Sequence, residues 1–113
     1  MNDAARSSVV TVLTTTPSAE VADRIGTALV EEGLAACANL VPGVKSVFRW
    51  KGELSREDEV LVLLKTTAER LGDLRRRLVE LHPYELPEVL ALDVRDGHPP
   101  YLDWVRAEVG RSA

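Results

Sequence analysis

Apolar residues recur along this chain with two different periods, and the changes of period divide it into seven elements. Val9-Val10-Thr11-Val12-Leu13 is short and rich in β-branched residues, which predicts a strand. It runs into Thr14-Thr15-Thr16-Pro17, where a threonine ahead of a proline is expected to cap a helix. In that helix Val21, Ile25, Ala28 and Leu29 fall on one face, and Glu20, Asp23, Arg24, Glu31 and Glu32 take the other. Gly33 supplies a left-handed C-terminal stop.

Leu34 to Val41 is again apolar, Pro42-Gly43 signals a turn or bulge, and Val44 to Lys51 resumes a strand on which Val44, Ser46, Phe48 and Trp50 share a face. This reads as one long, bent strand. Lys51-Gly52 with the polar stretch Glu53 to Glu59 predicts a reversal, and Val60-Leu61-Val62-Leu63-Leu64 the most buried strand. Thr66-x-x-Glu69 has the capping-box form, and Leu71, Leu74, Leu78 and Leu81 follow at helical spacing until Pro83. The two prolines of His82-Pro83-Tyr84-Glu85-Leu86-Pro87 predict an extended, rigid segment ahead of a strand from Glu88 to Val94. After turns at Asp96-Gly97 and Pro99-Pro100, a last helix is predicted from Tyr101 to Val109, with Gly110 just past its end.

The order β-α-β-β-α-β-α, and the echo of Val12-Leu13-Thr14-Thr15-Thr16 in Leu63-Leu64-Lys65-Thr66-Thr67, predict an α/β (α+β) domain. Its architecture is a ferredoxin-like split β-α-β sandwich: one antiparallel sheet with two helices on a single face, a long central β-hairpin and a C-terminal helix. Strands reaching past the helices expose an apolar edge, a hazard that proteins settle by pairing with another subunit, so a homo-oligomer is expected. Residues 1–8 are expected to form a flexible tail, 9–110 the single domain and 111–113 a short C-terminal tail.

Composition narrows the function. At 113 residues there is little room for more than one domain, and 45% hydrophobic content is enough for a packed core. A formal net charge of −4 argues against a sequence-independent nucleic-acid binder, which needs a lysine and arginine surplus. Arg75-Arg76-Arg77 reads as a solvated helix face. No apolar run approaches the roughly 20 residues needed to cross a bilayer, and Met1 to Ser8 carries no apolar leader core, so no membrane association and a cytoplasmic location are expected. Cys37, the single cysteine, excludes an intrachain disulfide and fits a reducing compartment. There is no GxSxG, P-loop, HExxH or paired Cys and His, and the acidic residues do not follow a calcium-loop pattern. Neither an enzyme nor an organic cofactor is predicted.

Seven ordered blocks carry a family resemblance: Ala35-Ala36-Cys37-Ala38-Asn39, Pro42-Gly43-Val44, Arg49-Trp50-Lys51-Gly52, Glu59-Val60-Leu61, Lys65-Thr66-Thr67, His82-Pro83-Tyr84-Glu85-Leu86-Pro87-Glu88 and Tyr101-Leu102-Asp103-Trp104. In order and spacing they resemble the CutA divalent-cation tolerance family, from about Val9 to Val109. The resemblance implies a tight homotrimer, similar to the PII signalling proteins, whose long hairpins pair between subunits. It implies a role in the response to divalent cations, binding of a divalent metal ion such as Cu(II), and no established reaction. It also implies a cleft between protomers lined by Trp50, Glu59, Lys65, His82, Tyr84 and Glu85.

His82, Glu85 and Cys37 are the expected metal ligands. Imidazole suits Cu(II), although a histidine at a helix C-terminus also serves as a cap. Cys37 reads as a soft thiolate ligand or as a small buried hydrophobe. Glu85 is a carboxylate ligand or an intersubunit salt-bridge partner. Some metal-binding relatives carry a cysteine at the position of Thr14 and a histidine at that of Leu81, and this chain has neither. Trp50 reads as an interface anchor or a pocket wall. Glu59 and Lys65, at even separation on one strand, are expected to form a partly buried ion pair, and His98 to be solvated. If His82 and Tyr84 lie in an extended segment, they share one side of it. A second function is a PII-like regulatory module that binds a small metabolite in the intersubunit cleft. A third is a scaffold whose N-terminal tail and terminal helix meet an unidentified protein partner.

Overall fold

The computed structural model describes residues 7–110, so most of both expected tails lies outside the described residues. The elements are β1 (Val9–Thr16), α1 (Ala19–Glu31), β2 (Cys37–Trp50), β3 (Glu53–Thr67), α2 (Leu71–Leu81), β4 (Leu90–Asp93) and α3 (Pro99–Val109). They form one four-stranded sheet of order β2-β3-β1-β4 with every neighbouring pair antiparallel. This is the split β-α-β arrangement predicted from the element order.

Side chains alternate across a strand, so β1 presents two faces. Val12 packs with Ala22, Ile25 and Leu29 of α1 and Leu74 and Leu78 of α2, together with Val62 and Leu64 of β3. The leucine stripe of α2 is therefore seated on the sheet as its spacing required. Val9 points the other way and packs with Val105 and Val109 of α3 and with Ala36. The terminal helix thus covers one end of the face that α1 and α2 leave open. Gly26 lets α1 lie close on β2: a Cβ there would stand 3.0 Å from that of Ala38.

Three local expectations change. Thr16 does not cap α1; it stays in β1 and donates its hydroxyl to the Val60 carbonyl at 3.0 Å. Ser18 is the N-cap, accepting from Val21 N at 3.2 Å. The Thr16 hydroxyl is engaged by the Val60 carbonyl and its backbone pairs within β1, which leaves Ser18, itself extended, to cap the helix. Nor does Thr66 open α2: it is buried and its hydroxyl donates to the Leu34 carbonyl at 2.7 Å, so the helix begins at Leu71 after a turn. The reversal after β2 takes only Lys51 and Gly52, both at positive φ, and Glu53 to Glu59 belongs to β3. A two-residue turn with both residues left-handed matches the twist of the strands it joins. The fourth strand is also shorter than expected, since only Leu90–Asp93 pairs with β1.

β1 pairs with β3 only as far as Thr16 opposite Val60. Beyond that point Val44 to Glu59 forms a two-stranded arm paired only within itself, and the described chain extends 52 Å along its longest axis. Val47, Phe48, Trp50 and Leu54 on this arm are exposed. Ser7 and Ser8, the end of the expected N-terminal tail, are held by hydrogen bonds to Arg106 and Ala68.

Candidate functional site

At the base of the arm, Val41 pairs with Leu61 and Val44 with Glu59, so Pro42 and Gly43 together oppose the single residue Val60. This is a β-bulge, with Gly43 at φ 83°. One extra residue exchanges the faces of everything beyond it. Val44, Ser46, Phe48 and Trp50 therefore join the face of Glu59 and Glu57. Against that face lies the segment after α2, and between them is a cleft of about 740 Å³.

Phe48, Trp50, Glu57, Glu59, Tyr84 and Glu85 line it, with Thr15, Leu86 and Glu88 among the remainder. Glu59 is only 7% exposed. It is held by the Tyr84 hydroxyl, which donates to Oε2 at 2.6 Å. Burial, and then the bond to Glu59, push the Tyr84 phenol well above its ordinary range, so it stays a protonated donor.

His82 orients that tyrosine. It is 7% exposed, and its Nε2 lies 2.9 Å from the Thr15 carbonyl, which can only accept, so Nε2 carries the proton. Nδ1 then accepts from the Tyr84 backbone N–H at 3.2 Å, and the two rings tilt together with centroids 4.7 Å apart. The expectation that His82 and Tyr84 share a side is met, although the chain bends at Tyr84 to Leu86. Burial pushes the imidazole below its usual value, against the opposing influence of the Thr15 carbonyl and the Glu59 charge. Pro83 and Pro87 bracket the bend, and Pro83 cannot donate a backbone hydrogen bond to prolong α2.

Other expected site residues lie elsewhere. Cys37 is half-buried, and Lys65 Nζ stands 4.0 Å from its Sγ while also bonding Asn39 Oδ1. Burial, and then the neighbouring Cys37, raise the Tyr101 phenol. Lys65 shares a sheet face with Glu59, but six residues of strand separate them by roughly 20 Å, so the expected ion pair does not form. His82, Glu85 and Cys37 do not converge. Among the described residues no group of three or more His, Cys, Asp and Glu side chains could hold a metal ion. The described residues of one chain therefore do not fit the metal that the family resemblance implies. His98 is exposed and precedes α3 without a side-chain capping bond.

Phe48, Glu57 and Glu88 also line the cleft and were not singled out from the sequence. A signal for two of them was present. Phe48 was placed on the face of Trp50, and reading Glu53 to Glu59 as strand would have put Glu57 beside Glu59 by simple alternation.

The sheet order, the long hairpin and the terminal helix define a ferredoxin-like, PII-like protomer. Residues 10–108 match the family described as CutA1 divalent ion tolerance protein. The divalent-cation tolerance protein CutA of Thermus thermophilus is 50% identical over 99 residues, covering 88% of this chain and 96% of that one. Protein CutA of Mus musculus is 44% identical over 98 residues, and there the match spans 87% of this chain but 55% of the mouse protein. The crystal structure of CutA1 from Oryza sativa superimposes with a TM-score of 0.89 at 34% identity, covering 94% of this chain and 97% of the other. This chain belongs to the CutA divalent-cation tolerance family.

Proposed function

We propose that the protein serves divalent-cation tolerance as a homotrimer whose working part is the acidic cleft, a small-ligand site of a PII-like regulatory module. The observation that carries this reading is Glu59, a buried carboxylate aimed into a cleft of about 740 Å³ and oriented there by Tyr84. That volume lies in the usual range for small-molecule sites, roughly 300–1,000 Å³. The proposed role is binding, with no reaction assigned, in the cytoplasm and with signalling to a protein partner.

The arm supports the homotrimer. A two-stranded ribbon with Val47 and Leu54 exposed on the face opposite Phe48 and Trp50 has little reason to persist alone, whereas pairing with a neighbouring copy buries those two side chains and satisfies its open edges. The open sheet face adds Leu90 and Leu92, each about half exposed, as further surface for a neighbour to cover.

Direct capture of Cu(II) by His82, Glu85 and Cys37 has narrower support. Only Glu85 of the three lines the cleft, and His82 has to surrender its bond to Thr15 or to Tyr84 before a ring nitrogen can reach a metal. Native mass spectrometry of metal-stripped protein titrated with Cu(II) and Zn(II) tests assembly and metal together. A trimer that stays bare of metal agrees with the small-ligand reading. Stoichiometric copper that disappears in His82→Ala replaces it with the metal-capture reading, and a monomer overturns the homotrimer.

A further inference from the structure

We infer that the cleft selects an organic cation, a protonated diamine or longer polyamine with an apolar stem, and rejects nucleotides and other polyanions. The inference rests on the small-ligand reading above and names its ligand class.

Charge is the first argument. Glu57, Glu59, Glu85 and Glu88 all line the cleft, and among the described residues none that lines it is lysine, arginine or histidine. A phosphate or carboxylate brought here meets four carboxylates, of which only Glu85 is ion-paired among the described residues, to Lys51 at the rim, and that balance is unfavourable.

Glu59 supplies an independent argument. A carboxylate more than nine-tenths buried is ordinarily paired with a cation, yet no lysine or arginine among the described residues forms an ion pair with it. Tyr84 satisfies Oε2, and Oε1 has no hydrogen-bond partner among the described residues. The one imidazole nearby is bonded through both nitrogens and is held toward its neutral form by burial, so it does not supply the missing charge. An ammonium group, with three donors and a positive charge, completes this site.

Shape and wall chemistry separate an amine from a bare metal ion. The described residues do not bring three metal ligands together, and the cleft is far larger than an ion. Its walls include Phe48 and Trp50, both partly exposed, which an alkyl chain can cover while its charged ends meet the glutamates. At the rim the protein already holds one ammonium this way: Lys51 Nζ lies 5.6 Å from the Trp50 ring centroid and 4.0 Å from Glu85 Oε2. A diamine would repeat that pairing of an aromatic face with a carboxylate deeper inside, at Glu59.

Isothermal titration calorimetry of the full chain, in about 0.15 M salt to screen surface binding, tests this with four probes: spermidine, 1,4-diaminobutane, 1,4-butanediol as the uncharged stem, and ATP. Saturable binding of the amines is expected, with no heat from butanediol or ATP and at least a tenfold loss of amine affinity, roughly, in Glu59→Gln. Because Glu59 is buried, the exposed substitutions Glu57→Gln and Glu85→Gln are measured alongside and are expected to weaken binding about threefold each. Binding of ATP or butanediol without the amines overturns the cationic class and leaves the small-ligand reading standing. Silence of all four probes overturns the amine class, and Cu(II), titrated next, overturns the small-ligand reading as well if it binds and is lost in Glu59→Gln. Amine binding indifferent to all three substitutions overturns the assignment to this cleft.

Discussion

The Tyr84 hydroxyl donates a 2.6 Å hydrogen bond to Glu59 Oε2 and so joins the segment after α2 to the third strand at the base of the arm. Twenty-five residues of chain separate the two, and Glu59 is otherwise buried without a cation among the described residues. A charged acceptor deprived of its donor keeps the desolvation cost and loses the compensation. Tyr84→Phe is therefore expected to destabilise the protein by about 1–3 kcal/mol in urea unfolding. A loss below about 0.5 kcal/mol would mean that water replaces the phenol and that Tyr84 does not orient the carboxylate.

His82 makes stability depend on pH with a definite sign. The unfolded imidazole takes up a proton near 6.5, and burial in the fold pushes that value lower. Between the two values the unfolded chain binds more protons than the folded one, so stability falls as the pH is lowered through this window. Protonation of Nδ1 also removes the acceptor used by Tyr84 N. The stability gap between the wild type and His82→Gln is expected to narrow as pH drops from about 8 to about 5.5. A gap that is constant across this range, followed by thermal melts, would show that the histidine takes up its proton equally in the folded and unfolded states.

Thr14 is fully buried on the helix-facing side of β1, and its Oγ1 is a buried side-chain polar atom with no hydrogen-bond partner among the described residues. Replacing that hydroxyl by a methyl of similar size removes an uncompensated desolvation cost. Thr14→Val is expected to stabilise the fold by about 1–2 kcal/mol and to raise the melting temperature by several degrees. A drop in stability would mean that the hydroxyl has a partner in solution.

Gly26 sits mid-helix, where alanine would ordinarily be better by about 0.5–1 kcal/mol. Here a Cβ would stand 3.0 Å from the Ala38 Cβ, an atom that no rotamer can move, so α1 has to lift off β2. Overpacking of this kind costs about 1–3 kcal/mol, which exceeds the gain in propensity. Gly26→Ala is expected to lower stability by about 1 kcal/mol in denaturant titration, while a stabilised variant would show that helix and sheet can separate freely.

Local chemistry was readable wherever one element decides its own conformation. The leucine spacing of α2 placed Leu74 and Leu78 in the core, Gly33 stopped α1, and Pro42-Gly43 marked the bulge. Where a local signal met a partner from another strand, the partner prevailed. Thr16 looks like a cap from its place before Pro17, but its hydroxyl bonds the Val60 carbonyl across the sheet and Ser18 takes the role. Glu53 to Glu59 looks like a loop because an exposed ribbon has no buried face to reveal its strand period.

By itself the sequence determined the element order, the ferredoxin-like sheet, the helix faces and the family, because each follows from periodicity, turn residues or ordered motifs within short stretches of chain. Only the tertiary structure decided the site. The one-residue bulge exchanges the faces of the arm, and that brings Trp50 and Phe48 onto the side of Glu57 and Glu59. The bend after α2 sets Tyr84 on Glu59 and engages both nitrogens of His82, while strand geometry keeps Cys37 and Lys65 away. These are relations between elements far apart in sequence, settled by register and packing, and no local pattern encodes the distance between two side chains that meet across a fold.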